Sequence, residues 1–140
     1  MTVSEAIKKT TGHGPGFTNR SSVEYAQSLI DKKENIQAAV TANVRTLKEH
    51  FPAVVVLTDH RLLIVHKLFN IRRVIAYPYE KLDVVTEKKS AIQHECIFHV
   101  GGFQFVISLN KRDGDAFIPY LKNLDCFIEQ KEYRDQKYKK

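Results

Sequence analysis

The spacing of hydrophobic and polar positions changes twice along the chain, from helical to alternating and back to helical. From Ser21, which is placed as a helix cap with Glu24 three residues later, apolar residues recur every three or four positions over 23–30. This spacing predicts an amphipathic helix. From Ile36 to Leu109 the period is two, in segments separated by short polar turns. We therefore expect about seven antiparallel strands joined as a meander.

Two of the turns have specific sequence signals. Thr58-Asp59-His60-Arg61 separates two apolar runs, and an Asp side chain can bond nearby backbone in a tight turn. Gly101-Gly102 separates two alternating runs and suits a two-residue hairpin, because both positions can need a positive φ. A sheet built from such hairpins usually curls or closes to protect its edges.

A second helix is predicted after the last strand. Apolar residues from Phe117 to Ile128 repeat at three- and four-residue spacing, with Asp113 or Asp115 as the cap and Pro119 in the first turn. This helix has one broad apolar face. It is expected to cover an open end of the curved sheet.

The runs 54–57 and 62–65 are apolar on both faces of their strands. A strand of this kind needs a cover on its outer face, and a helix, another sheet or a second subunit could provide it. We therefore assign a candidate self-association surface to four of these residues: Val54, Val56, Leu63 and Val65.

Length and charge point to one domain with basic ends. The 140 residues divide into an expected flexible leader at 1–20, a domain at 21–130 and a basic tail at 131–140. The net charge is +6, but the last ten residues alone hold five Lys or Arg against two acidic residues. A nucleic-acid partner is not expected, because phosphate binding would require the excess on the folded body.

No motif for catalysis or for cofactor binding is found. The chain lacks a phosphate loop, a dinucleotide glycine motif, a nucleophile elbow and a zinc-helix motif, so we expect neither an enzyme nor a cofactor. The strongest metal-like cluster comprises His94, Glu95, Cys96 and His99. On a strand His94 and Cys96 point away from the other two, so no metal site is expected.

The two cysteines, Cys96 and the helix-borne Cys126, are expected to be reduced thiols in a cytoplasmic protein. No apolar run reaches the roughly 20 residues that a membrane span needs.

Lys67, Arg72 and Arg73 bracket one turn and are a candidate contact for an anionic headgroup. The alternative is a solvated edge whose charges discourage aggregation.

The stretch Val55–Val65, with Thr58-Asp59-His60-Arg61-Leu62 at its centre, resembles a hairpin of bacterial pleckstrin-homology-like domains of the YokE-like branch, in which Thr-Asn/Asp-x-Arg-Leu lies between two apolar runs. Tyr79-Glu80-Lys81-Leu82 and the Gly101-Gly102 hairpin follow in the same order as the corresponding elements of that family. The resemblance spans roughly residues 35–128. It implies a mainly β (α+β) fold: a bent seven-stranded antiparallel barrel capped by a C-terminal helix, here with an extra N-terminal helix.

These observations favour a non-enzymatic binding or scaffolding module that associates with a protein partner or with itself. Two alternatives stay open. One is peripheral binding to an anionic membrane through the basic edge, and the other is a small ligand in the barrel mouth.

Overall fold

The structure, a computed structural model, describes residues 1–129 with three α-helices and eight strands. In chain order these are α1 (Val3–Thr11), α2 (Arg20–Leu29), β1 (Ile36–Arg45), β2 (His50–Thr58), β3 (Arg61–Leu68), β4 (Ile71–Pro78), β5 (Val84–Lys89), β6 (Gln93–Val100), β7 (Phe103–Asn110), α3 (Lys111–Leu121) and β8 (Phe127–Glu129). The strands form one sheet in the order β4-β3-β2-β1-β7-β6-β5-β8. The seven antiparallel strands are confirmed. The sheet is not closed, and β4 and β8 are its edges.

One core lies between the inner face of the sheet and α3. Phe117 and Leu121 of α3 are completely buried there against strand residues that alternate inward, as the period of two predicts. The rings of Phe98 and Phe105 stack with their centroids 4.9 Å apart at the centre of this core. The C-terminal helix therefore covers the sheet as expected.

A second core lies on the outer face of β1, β2 and β3, beneath α1 and α2. The predicted self-association residues belong to this core, and none has any exposed surface: Val54, Val56, Leu63 and Val65. The sequence allowed a helix, another sheet or a second subunit as the cover of this outer face, and α1 and α2 of the same chain provide it. The assignment of these four residues to a self-association surface is therefore corrected, since they cannot reach another molecule while the helices are in place.

The expected flexible leader is also corrected, because residues 3–11 form α1. Thr2 and Glu5 make a capping box, in which each side chain accepts a hydrogen bond from the other residue's backbone N–H. Val3, Ala6 and Ile7 share one face and are buried against the sheet. The helix ends at Gly12, whose φ of 84° closes the last turn.

The helix starts differ from the prediction. α2 begins at Arg20, directly after a 3₁₀ turn at Phe17–Asn19, so Ser21 is not its cap. α3 begins after Asn110, whose side chain accepts a hydrogen bond from the Asp113 N–H at 2.8 Å. Because α3 starts this early, Pro119 lies inside it rather than in the first turn.

The predicted C-terminal helix also ends earlier than expected. Phe127–Glu129 leaves it to form β8, which pairs in parallel with β5. Cys126 consequently lies just before this strand and not on a helix. Neither Cys126 nor Cys96 is in a disulfide.

Candidate binding face at the loop end of the sheet

Three strand connections meet at one end of the molecule: the β1–β2 turn, the β3–β4 turn and the β6–β7 turn. Alternate turns of an antiparallel meander fall at the same end. The pairing of Arg45 with Val106 then brings the β6–β7 turn beside the β1–β2 turn. We call this end the loop face and define it by the three turns and the basic residues that flank them: Arg45, Lys48, Lys67, Arg72 and Arg73.

Each turn of the loop face carries an exposed apolar side chain. Leu47 is 96% exposed, Phe69 is 86% exposed and Phe103 is 55% exposed. Leu68 and Ile71, on either side of Phe69, are about half exposed. Single exposed apolar residues are ordinary, whereas several at one end of a protein are typical of an interaction surface.

Phe69 combines two unfavourable features. It has a φ of 53°, and it is the only non-glycine residue with a positive φ among residues 1–129. This conformation is costly for a bulky side chain, and turn positions of this kind usually carry Gly or Asn. Strained backbone concentrates at functional sites. At Phe69 the unusual backbone conformation coincides with an aromatic ring that is exposed to solvent.

An open groove of about 800 Å³ separates the β1–β2 turn from the β6–β7 turn. Leu47 and Phe103 form apolar walls, and Arg45 and Lys48 supply positive charge. Gly102 of the β6–β7 turn also lines the groove, and φ is 52° at Gly101 and 92° at Gly102, as the sequence predicted for this hairpin. Glu49, which is paired with Arg73, also lines the groove, so apolar surface lies beside charges of both signs.

The three basic residues singled out in the sequence divide into two groups. Lys67 and Arg72 are cross-strand partners, and their charged groups lie 5.9 Å and 5.1 Å from the ring centroid of Tyr25 on α2. Arg73 turns to the other face of the sheet, where its Nε donates to Glu49 at 2.7 Å. That ion pair ties β4 to the β1–β2 turn and leaves Arg73 partly neutralised.

The remaining cations of the loop face differ in how they are paired. Arg45 lies 3.6 Å from the Glu95 carboxylate. Within the part of the chain that the structure describes, no salt bridge is formed by Lys48, Lys67 or Arg72. These three cations give the loop face its uncompensated positive charge.

The sequence identified the basic residues Lys67, Arg72 and Arg73 but not the exposed apolar side chains of the three turns. Leu47, Phe69 and Phe103 each sit in or beside a turn, where polar residues are usual. That mismatch between residue type and position was the available signal. Arg45 and Lys48 were missed because their approach to the β6–β7 turn depends on the pairing of β1 with β7.

The metal-like cluster is divided between the two faces of β6. His94 and Cys96 are buried, whereas Glu95 and His99 are partly exposed on the opposite side. Among residues 1–129, no three His, Cys, Asp or Glu side chains are placed to hold one metal ion.

Within the same residues, no helix has the length and hydropathy needed to cross a bilayer.

Comparison with known proteins gives one family match and structural neighbours. A family model described as "Bacterial PH domain" matches residues 30–123. No curated protein matches the sequence. A DUF1696 family protein with a pleckstrin-homology domain from Shewanella loihica PV-4 superposes with a TM-score of 0.51 at 16% identity, covering 78% of this chain and 97% of its own.

A second solved structure is the C-terminal domain of an unknown protein from Leishmania infantum. It has a TM-score of 0.49 at 13% identity and covers 76% of this chain and 93% of its own. At these identities the first structure supports the fold and nothing more specific.

Proposed function

The chain belongs to the bacterial PH domain family, and from that premise we propose that it is a non-catalytic binding module that docks on anionic membrane surfaces through the loop face. The fold alone does not name a ligand. The observation that carries the proposal is the placement of three exposed apolar side chains, Leu47, Phe69 and Phe103, at the same end of the sheet as three cations that form no salt bridge with residues 1–129.

The two kinds of residue match the two layers of a membrane surface. Transfer of exposed apolar side chains into the acyl boundary is favourable. Each Lys or Arg beside them strengthens binding to anionic headgroups by about 1 kcal/mol. A cytoplasmic location, where anionic lipids face the protein, is part of the proposal and agrees with two cysteines outside any disulfide.

Co-sedimentation with vesicles tests this function. We expect the protein to bind vesicles in which phosphatidylserine replaces about a third of the phosphatidylcholine, and to bind pure phosphatidylcholine far less. Changing Lys48, Lys67 and Arg72 together to Gln should weaken anionic-vesicle binding roughly a hundredfold, since each contributes about 1 kcal/mol. Added salt should weaken wild-type binding because it screens exposed charges.

A matched control removes three cations elsewhere. Lys8, Lys32 and Lys33 are exposed and lie outside the loop face, so their joint change to Gln alters net charge equally. This control should bind almost as well as wild type. Equal losses in both triple variants would contradict a localised site. If the protein binds neither kind of vesicle, membrane docking is contradicted. The loop face would then be expected to bind a protein partner.

A further inference from the structure

One edge of the sheet is long, regular and uncovered. β4 pairs with β3 over all 8 of its residues without a register shift, and within residues 1–129 no strand lies on its other side. The opposite edge, β8, has only 3 residues. Proteins usually protect a long edge with a bulge, a cover or a short strand, because its free backbone groups can pair with another chain. Among the described residues, β4 has none of these three protections.

The free hydrogen-bonding groups of β4 follow from the β3–β4 turn. Leu68 and Ile71 pair directly across a two-residue turn, so their backbones bond to each other. Bonding alternates along an antiparallel pair, so every second residue of β4 directs its N–H and C=O away from β3. These residues are Arg72, Val74 and Ala76. The Arg72 carbonyl accordingly accepts a hydrogen bond from the Arg73 guanidinium at 3.0 Å, and the backbone of the other two is open to a further strand.

The helix α2 borders the outer side of this edge. The Lys67 N–H donates to Oγ of Ser22 at 2.9 Å, and the side chain of Arg61 donates to the Leu29 carbonyl at 2.8 Å. These contacts show that α2 runs along β3 from one end to the other. Val74 pairs with a residue of the outer core, so its side chain lies on the same face of the sheet as α2. It is nevertheless 45% exposed, so the helix leaves the apolar outer side of β4 uncovered.

Positive charge lies at one end of the same edge. Arg72 is exposed and forms no salt bridge within the described part of the chain, and its guanidinium lies 5.1 Å from the ring centroid of Tyr25. Pairing of β4 with a second copy of itself would bring Arg72 and Arg73 of both copies to one interface, and like charges oppose such pairing. An added strand that carries negative charge meets no such opposition.

We propose that β4 accepts an extended acidic peptide of a partner protein as an additional, antiparallel strand. The peptide backbone bonds to the open groups of β4, and two apolar side chains at alternate positions pack on Ala76 and Val74 beside α2. Two residues further along, an Asp or Glu faces Arg72. We choose the antiparallel direction because it gives the more stable ladder. Since the added strand then runs opposite to β4, the acidic residue follows the apolar residues in the peptide sequence.

Fluorescence anisotropy with the full chain and a labelled peptide, Thr-Val-Thr-Val-Thr-Glu-Ser, tests this site. Its valines would lie opposite Ala76 and Val74, and its glutamate opposite Arg72. We expect saturable binding, and roughly fivefold weaker binding of the same peptide with Lys in place of Glu. Arg72→Glu should reverse this preference. Absence of saturable binding below about 1 mM peptide overturns the proposal, and so does a charge preference that Arg72→Glu leaves unchanged.

Backbone methylation distinguishes strand addition from simple attraction of charges. Methylating the amide nitrogen of the fourth peptide residue removes the N–H that would bond to Val74. Methylating the third alters an N–H on the far side of the added strand, and so provides the matched control. The first peptide should bind at least about tenfold more weakly than the second. Equal affinities would show that the backbone of β4 is not used.

Val74→Pro removes the matching donor from the protein. The N–H of Val74 faces the open edge, where proline is tolerated in a sheet, so the melting temperature should change little. Peptide binding should fall about tenfold or more, and unchanged binding overturns the proposal. A dimer that this variant converts to a monomer would also overturn it, because β4 would then pair with a second copy. Val74 lies outside the loop face, so vesicle binding should be unaffected, and the two functions are tested separately.

Discussion

Replacing Leu63 with Ala is expected to lower the free energy of unfolding by about 2–5 kcal/mol. Leu63 has no exposed surface and lies in the outer core, which α1 and α2 close. The substitution removes buried methyl groups and leaves a cavity that close packing fills only in part. Urea unfolding followed by circular dichroism measures the change.

Leu68→Ala is the matched control. Leu68 ends the same strand and is 49% exposed, so its loss should change stability by less than about 1 kcal/mol. The Leu63 variant should have the same oligomeric state as wild type in light scattering. A variant of unchanged stability that shifts from oligomer to monomer would contradict the closed outer core and restore the self-association surface.

Glu34→Gln is expected to destabilise the protein by roughly 3 kcal/mol at pH 7. Only 3% of the Glu34 side chain is exposed. Its carboxylate accepts hydrogen bonds from Thr58 at 2.7 Å and from Nε of Arg61 at 2.8 Å. Arg61 also donates to the Leu29 carbonyl. Glu34 therefore fastens the end of α2 to the β2–β3 hairpin, and an amide would leave Arg61 without its counter-charge.

The destabilisation should depend on pH in a defined direction. Burial favours the neutral acid, but the hydrogen bonds from Arg61 and Thr58 outweigh it and lower the pKa of Glu34 from 4.5 to about 2. A lowered pKa stabilises the fold above the unfolded-state value and ceases to do so as pH falls through the folded-state value. The difference between wild type and variant should thus be constant above about pH 5 and shrink towards about pH 2.

Glu24→Gln provides the comparison for this experiment. Glu24 is 74% exposed and lies 3.9 Å from Arg20 one helical turn away, so its ion pair contributes at most about 0.5 kcal/mol. A Glu34 variant that behaves like the Glu24 variant in urea unfolding at pH 7 would show that the Arg61 contact does not hold α2.

Local patterns in the sequence identify much of the sheet. The Gly101-Gly102 hairpin is visible because two glycines between alternating runs fit one turn geometry. The doubly apolar runs around Val55 and Leu63 correctly require a cover on the outer face. Which element supplies that cover depends on tertiary packing, and the glycines at 12, 14 and 16 obscured the helical spacing of Val3, Ala6 and Ile7.

Other features depend on long-range pairing that no short window contains. Phe127 fits the three- and four-residue spacing of the preceding helix, yet pairing with Val85 of β5 draws it into a strand. The loop face likewise brings together residues from positions 45 to 103. The basic edge at Lys67 and Arg72 was visible, but the groove beside Leu47 and Phe103 depends on the β1–β7 contact.

A single tryptophan at the tip of the β3–β4 turn tests the membrane-docking claim most directly. The chain contains no Trp, so Phe69→Trp gives one fluorescent reporter. His60→Trp gives a matched reporter at the opposite end, where the His60 side chain is 65% exposed. On anionic vesicles that contain brominated lipids, we expect the emission of the position-69 reporter to shift to shorter wavelength and to be quenched. The position-60 reporter should be unchanged. Equal responses at both positions, or none at position 69 while the protein is bound, would contradict docking through the loop face.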